Sequence, residues 1–209
     1  MAARRTDRDQ RLAVLIDADN TSPKIADALF EEVAKVGEAS LRRIYGDFSK
    51  GQQAGWEKVL QRHAILAQQQ FAYTTGKNSS DIALVIDAMD LLHSGRFDGF
   101  CLVSSDSDFT RLAARIREQG VDVYGIGRST TPESFRQACT RFIFTENFVA
   151  DEGPAKAART TLRPMKEAIS LIERAVAELE EDGEGWYELG TVGTRLSNMS
   201  SEFDTRTYG

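Results

Sequence analysis

Short apolar runs that end in acidic or small polar residues recur along this chain, and helical spacing fills the gaps between them. Leu12 to Ile16 runs into Asp17, Asp19 and Asn20, and Leu41 to Tyr45 closes on Gly46-Asp47. Phe97 to Val103 runs into Ser104-Ser105-Asp106-Ser107-Asp108, and Val121 to Ile126 closes on Gly127. Continuous apolar runs of this length suit strands buried on both faces. Between them, helical spacing covers Pro23 to Val36, Trp56 to His63, Ile82 to Leu92, Phe109 to Gln119 and Pro132 to Cys139. Ser22 is placed as an N-cap before Pro23, and Gly37 as the residue that stops the first helix. A strand near Gln70 to Tyr73 and an edge strand at Phe142 to Phe144 complete the pattern. The alternation predicts a three-layer α/β/α domain with a mainly parallel sheet and right-handed crossovers.

In such sheets ligands bind beyond the carboxyl ends of the strands. Asp17, Asp106 and Asp108 are expected there. Asp81 stands at the start of the Ile82 to Leu92 helix, and Asp87 follows on the same helix. Each acid alone fits a helix cap. Together they repel one another unless a cation lies between them. Carboxylate donors point to a hard cation, Mg2+ or Mn2+. Such an ion suits phosphodiester hydrolysis, because it acidifies a bound water and polarises a phosphoryl oxygen.

Composition narrows the alternatives. The chain carries 32 acidic and 26 basic residues, so bulk affinity for nucleic acid is not expected. A local basic rim is still compatible with that balance. Lys24, Lys77, Arg111 and Arg128 are the RNA-binding candidates, with Lys50, Lys58 and Arg62 as further flanking cations. Two histidines, His63 and His93, leave little for imidazole catalysis. The two cysteines, Cys101 and Cys139, lack zinc-site spacing. No apolar run is long enough to span a bilayer, and the first residues lack a signal-like core, so a cytoplasmic protein is expected.

Three motifs in order resemble the NYN family of PIN-like nucleases, especially its bacterial branch. They are Ile16-Asp17-Ala18-Asp19-Asn20, then Lys77 to Asp81 with Ile82-Ala83-Leu84-Val85-Ile86-Asp87, then Ser104 to Phe109. The resemblance covers about Arg11 to Phe148. It implies a PIN-like fold and metal-dependent cleavage of RNA, with single strands preferred. It assigns catalysis and metal binding to Asp17, Asp81, Asp106 and Asp108. Asn20, Ser104 and Asp87 are expected in support, and Asp19 stays outside the metal's immediate ligands. Residues 149–163 read as a linker. Residues 164–209, with Gly185-Trp186 to Leu196 and Phe203 to Gly209, are similar to the first half of a LOTUS, or OST-type helix-turn-helix, domain. An RNA or protein partner for that part, and a homodimer, are compatible with the resemblance.

Two rival readings remain. A non-cleaving RNA-binding or dimerising module accounts for the same residues. A haloacid-dehalogenase-type phosphatase accounts for Asp17-Ala18-Asp19-Asn20-Thr21, with Asp17 as nucleophile and Asp19 as acid/base. Pro23 argues against the phosphatase, because a helix starting there leaves no room for a flap.

Overall fold

The computed structural model describes residues 10–50, 55–70, 79–151, 162–177, 179 and 186–208. One sheet of six strands organises it: β1 Gln10–Asp17, β2 Gly37–Gly46, β3 Leu66–Gln69, β4 Gly99–Val103, β5 Asp122–Gly127 and β6 Arg141–Phe144. The order across the sheet is β3-β2-β1-β4-β5-β6, and every neighbouring pair is parallel. Chain direction across the sheet reverses between β1 and β4, the switch point at which open α/β sheets form a crevice.

Helices cover both faces. They are α1 Ala26–Ala34, α2 Trp56–Arg62, α3 Ser79–His93, α4 Thr110–Glu118 and α5 Glu133–Ala138. The two-residue period of β1 divides its side chains between two cores. Ala13 and Leu15 face Leu84, Ala88 and Leu91 of α3, together with Leu112 and Ile116 of α4. Leu12, Val14 and Ile16 face Leu29 and Val33 of α1 and Trp56 of α2. Full burial of a leucine or isoleucine contributes about 1.5–3 kcal/mol, so β1 alone holds both layers firmly. Cys101 and Cys139 are buried free thiols within these cores.

The structure departs from the sequence reading in two places. The first helix is shorter than expected: a 3-10 turn at Pro23–Ile25 leads into α1, which ends at Ala34. Gly37 is the first residue of β2 rather than a helix stop. A Cβ there would lie 2.3 Å from the Gln10 carbonyl oxygen, so only glycine allows β2 to begin against β1. The third described strand is Leu66–Gln69, with Gln70 just beyond its end, and residues 71–73 of the strand expected near Gln70 to Tyr73 lie outside the described residues. Most of the expected 149–163 linker, and Lys77, also lie outside them.

Beyond the sheet, α6 Met165–Ala177 and α7 Leu189–Met199 pack through Ala175, Val192 and Leu196. The segment after α7 then lies against the sheet domain. The Phe142 N–H of edge strand β6 donates to the Ser201 carbonyl at 2.7 Å, which engages an otherwise open strand edge. Buried Glu202 accepts from Arg136 at 2.6 Å and from Arg163 at 2.7 Å. Arg206 reaches buried Glu32 on α1 at 2.6 Å and buried Asp204 at 2.7 Å. Nothing in the sequence reading anticipated this contact. No helix among the described residues is long and apolar enough to cross a membrane.

Candidate active site

The site grows from the ends of β1 and β4. Asp17 is the last residue of β1 and is only 1% exposed. The chain turns back on it at once. The N–H groups of Asp19 and Asn20 donate to Asp17 Oδ1 at 3.0 and 3.3 Å. The Asn20 side-chain amide donates to Oδ2 at 2.8 Å, and the Ser104 hydroxyl donates to the same oxygen at 2.7 Å. Four donors therefore match the roughly four lone-pair directions of a carboxylate. Burial still pushes the Asp17 carboxyl above its ordinary range, although these hydrogen bonds oppose it.

Ser104 links the two strand ends. Its hydroxyl oxygen accepts from the Asp106 N–H at 3.1 Å while its hydrogen goes to Asp17. Asp106 then caps a 3-10 turn at Ser107–Phe109, accepting from the Asp108 N–H at 2.9 Å. The capping role considered for this acid is real, but it uses one carboxylate oxygen. The other takes no hydrogen bond among the described residues. Asp108 is exposed in that turn.

Helix α3 brings the third acidic group. Buried Ser80 donates its hydroxyl to Asp19 Oδ2 at 2.9 Å, which ties the helix start to the turn after β1. Beside it, the Asp81 carboxyl is pushed up to about 6, first by burial and then by the charges of Asp17, Asp106, Asp19 and Asp108. Five aspartates from three distant parts of the chain therefore share one electrostatic field. Asp19, set aside by the sequence reading, belongs to that field through Ser80. Ser80 itself was missed, because a serine at a helix start carries no distinctive signal.

Asp87 does not support this cluster. It accepts from Arg43 and from the Tyr45 hydroxyl, both on β2, and forms a separate half-buried network. Six residues along α3 carry Asp87 about 120° around the helix from Asp81, toward β2. Of the cations, Arg128 lines a cleft beside Asn20 and Ser104. Arg111 is exposed at the start of α4. Lys24 is exposed and lines a different depression, along α1 near Arg206. Arg62 is paired with Asp27.

The donor set is carboxylate and hydroxyl oxygen, without thiol or imidazole, which is the chemistry of a hard divalent cation. The groups are not drawn into a closed shell. Among the described residues, no three acidic, histidine or cysteine side chains stand together as a ready metal site. The acids still act on one another through space, since four of them add to the effect of burial in pushing Asp81 up, and a bound cation would relieve that repulsion.

Comparison with known proteins agrees with this architecture. The NYN domain model matches residues 11–146, and the OST-HTH/LOTUS domain model matches residues 162–209. No curated protein matches the chain. A solved protein of unknown function from Vibrio parahaemolyticus is similar with a TM-score of 0.56 at 17% identity, covering 68% of this chain and 96% of that one. At that identity the likeness concerns the fold alone. The order of the parallel strands, the acids at the β1 and β4 ends, and a domain match over well more than half of the sequence lead to one assignment: the chain belongs to the NYN domain family of the PIN-like nuclease superfamily, followed by an OST-HTH/LOTUS domain.

Proposed function

We propose that this protein is a metal-dependent ribonuclease that hydrolyses RNA phosphodiester bonds at the end of β1 and β4. The observation that carries the reading is geometric: Ser104 joins Asp17 to the Asp106 backbone, and Ser80 ties the start of α3 to Asp19, so acids from three parts of the chain meet, and Asp81 is pushed up first by burial and then by their charges. Such repulsion disfavours the folded state at neutral pH until a cation offsets it, and carboxyls perturbed in this way cluster at functional sites. Asp17, Asp81, Asp106 and Asp108 would hold Mg2+ or Mn2+. When bound, the ion would acidify a water and polarise the phosphoryl oxygen.

The protein's own residues do the positioning. Asn20 and Ser104 fix the Asp17 carboxylate between them. For Asp17 to turn an oxygen toward a cation, one of those donors must yield, and Asn20, half-buried in the turn, has a freer side chain than buried Ser104. Ser104 holds the Asp106 backbone, so Asp106 keeps one oxygen directed by its cap and the other available. Arg128, at the edge of the adjoining cleft, would offset phosphate charge. An open strand-end crevice of this kind admits a flexible single strand more readily than a duplex.

A non-cleaving RNA-binding module is the second reading, favoured by the four donors already satisfying Asp17. RNA cleavage with manganese against chelator, in wild type and Asp106→Asn, separates the two. Manganese-dependent cleavage lost in the variant is expected. Equal cleavage by both proteins removes the mechanism, and RNA retention without any cleavage favours the second reading.

A further inference from the structure

We propose that the cleft bounded by the ends of β1, β4 and β5 seats one ribose of the RNA, and that the Ser105 hydroxyl reads its 2′-hydroxyl. This inference deepens the ribonuclease reading and rests on it. The cleft is about 140 Å3 and includes Asn20 and Ser104 in its wall. Both of those residues hydrogen-bond Asp17, so the cleft shares a wall with the acidic cluster.

Size and chemistry select the occupant. Pockets for whole drug-sized ligands run to roughly 300–1,000 Å3, so this one suits a single sugar or phosphate. Ile25, Val103 and Ile126 give it apolar surface, and Ser105 and Thr145 add hydroxyls. Arg128 is the one basic lining residue among the described residues, while five carboxylates stand nearby. A second anion is disfavoured in that field, whereas a neutral ring with hydroxyls meets both kinds of surface. Gly127 keeps the wall thin: a Cβ there would lie 2.5 Å from the Ser104 carbonyl oxygen.

Ser105 is the half-buried lining hydroxyl placed to distinguish RNA from DNA, whereas Ser22, also in the lining, is exposed and caps the Pro23–Ile25 turn. Its oxygen accepts the Arg128 N–H at 2.9 Å, which fixes its place. Its own hydrogen is not donated to any described residue. By contrast, Thr21 donates to the Val103 carbonyl and Thr145 to Glu146. A 2′-hydroxyl both donates and accepts, and it marks RNA at a given site. Ser105 can meet it in either sense.

The test is binding by the full chain, in chelator, of a fluorescent RNA decamer and the DNA decamer of the same sequence, read by anisotropy. Wild type should bind RNA more tightly than DNA. Ser105→Ala should weaken RNA binding about 5- to 10-fold, the effect of one neutral hydrogen bond, and leave DNA binding unchanged. Equal or undetectable binding of both strands by wild type overturns the proposal. So does a loss in Ser105→Ala shared equally by RNA and DNA, which would mean a phosphate contact or a folding defect. Cleavage with manganese is scored separately. Discrimination without cleavage sinks the ribonuclease reading alone, and cleavage without discrimination sinks the ribose seat alone.

Discussion

Ser104 donates its hydroxyl hydrogen to Asp17 at 2.7 Å, although 87 positions separate them along the chain. The same oxygen accepts the Asp106 N–H, so one small side chain sets the relation between the two strand ends. Ser104→Ala removes both contacts and leaves the buried Asp17 carboxylate short of a donor. The expected cost is about 1–3 kcal/mol in chemical denaturation, with RNA cleavage reduced and Asp17 driven further above the ordinary carboxylate range. Unchanged stability and unchanged cleavage would show that the link is incidental.

Asp81 predicts a pH signature. Its folded-state value of about 6 exceeds the ordinary 3.8. Below about pH 4 the acid is protonated whether the chain is folded or not. As pH rises from there through 6, the folded state holds the proton more tightly, and stability falls. Asp81→Asn should therefore stabilise the chelated protein at pH 7.5 and not at pH 4. Because Asp81 is partly exposed, solvent screening reduces the gain to about 1 kcal/mol, or roughly 2–4 °C in Tm. A thermal shift of equal size at both pH values would contradict this account.

A divalent cation should act on the same field. Manganese or magnesium at pH 7.5 is expected to raise the Tm of wild type, approaching about 2.7 kcal/mol at a hundredfold excess over Kd. Asp106→Asn should blunt the response. Scanning fluorimetry with and without chelator reads it directly, and an identical response in the two proteins argues against a cation at this site.

Asp87 serves as the contrast. Its partners are Arg43 and Tyr45, and the Asp87 and Arg43 side chains are 22% and 25% exposed. Asp87→Asn should lower stability by about 2–3 kcal/mol, because a half-buried guanidinium loses its counter-charge. Cleavage per folded molecule should persist. Abolished cleavage with intact stability would return Asp87 to the catalytic group.

The contact made by the C-terminal segment is also testable. Burial would push the Glu32 and Asp204 carboxyls up, but Arg206 holds both below their ordinary range. That contribution is present above about pH 4 and lost on further acidification. Arg206→Ala should cost about 2–4 kcal/mol and speed hydrogen exchange in residues 200–208. Exchange at the wild-type rate would mean that the segment is held by its backbone contacts alone.

Local rules read well where the signal is local. Leu12 to Ile16 and Phe100 to Val103 announce buried strands by continuous apolar character, and the acids that follow mark their ends. Gly37 was misread because a helix stop and a strand start demand the same residue, and only its approach to Gln10 distinguishes them. The edge strand Leu66–Gln69 has no alternation to detect, since Leu66 is 57% exposed and the strand borders solvent.

The sequence by itself determined the element types, the layered class and which strand ends carry carboxylates, because side-chain periodicity and turn chemistry act over a few residues. Tertiary structure alone decided that Asp19 joins the cluster through Ser80, that Asp87 leaves it for Arg43, and that Arg206 reaches Glu32 across 174 positions. Those pairings depend on the order in which crossovers lay the strands side by side. Charge and hydrogen bonding act through space, and no local pattern in the chain records which distant partner the fold will supply.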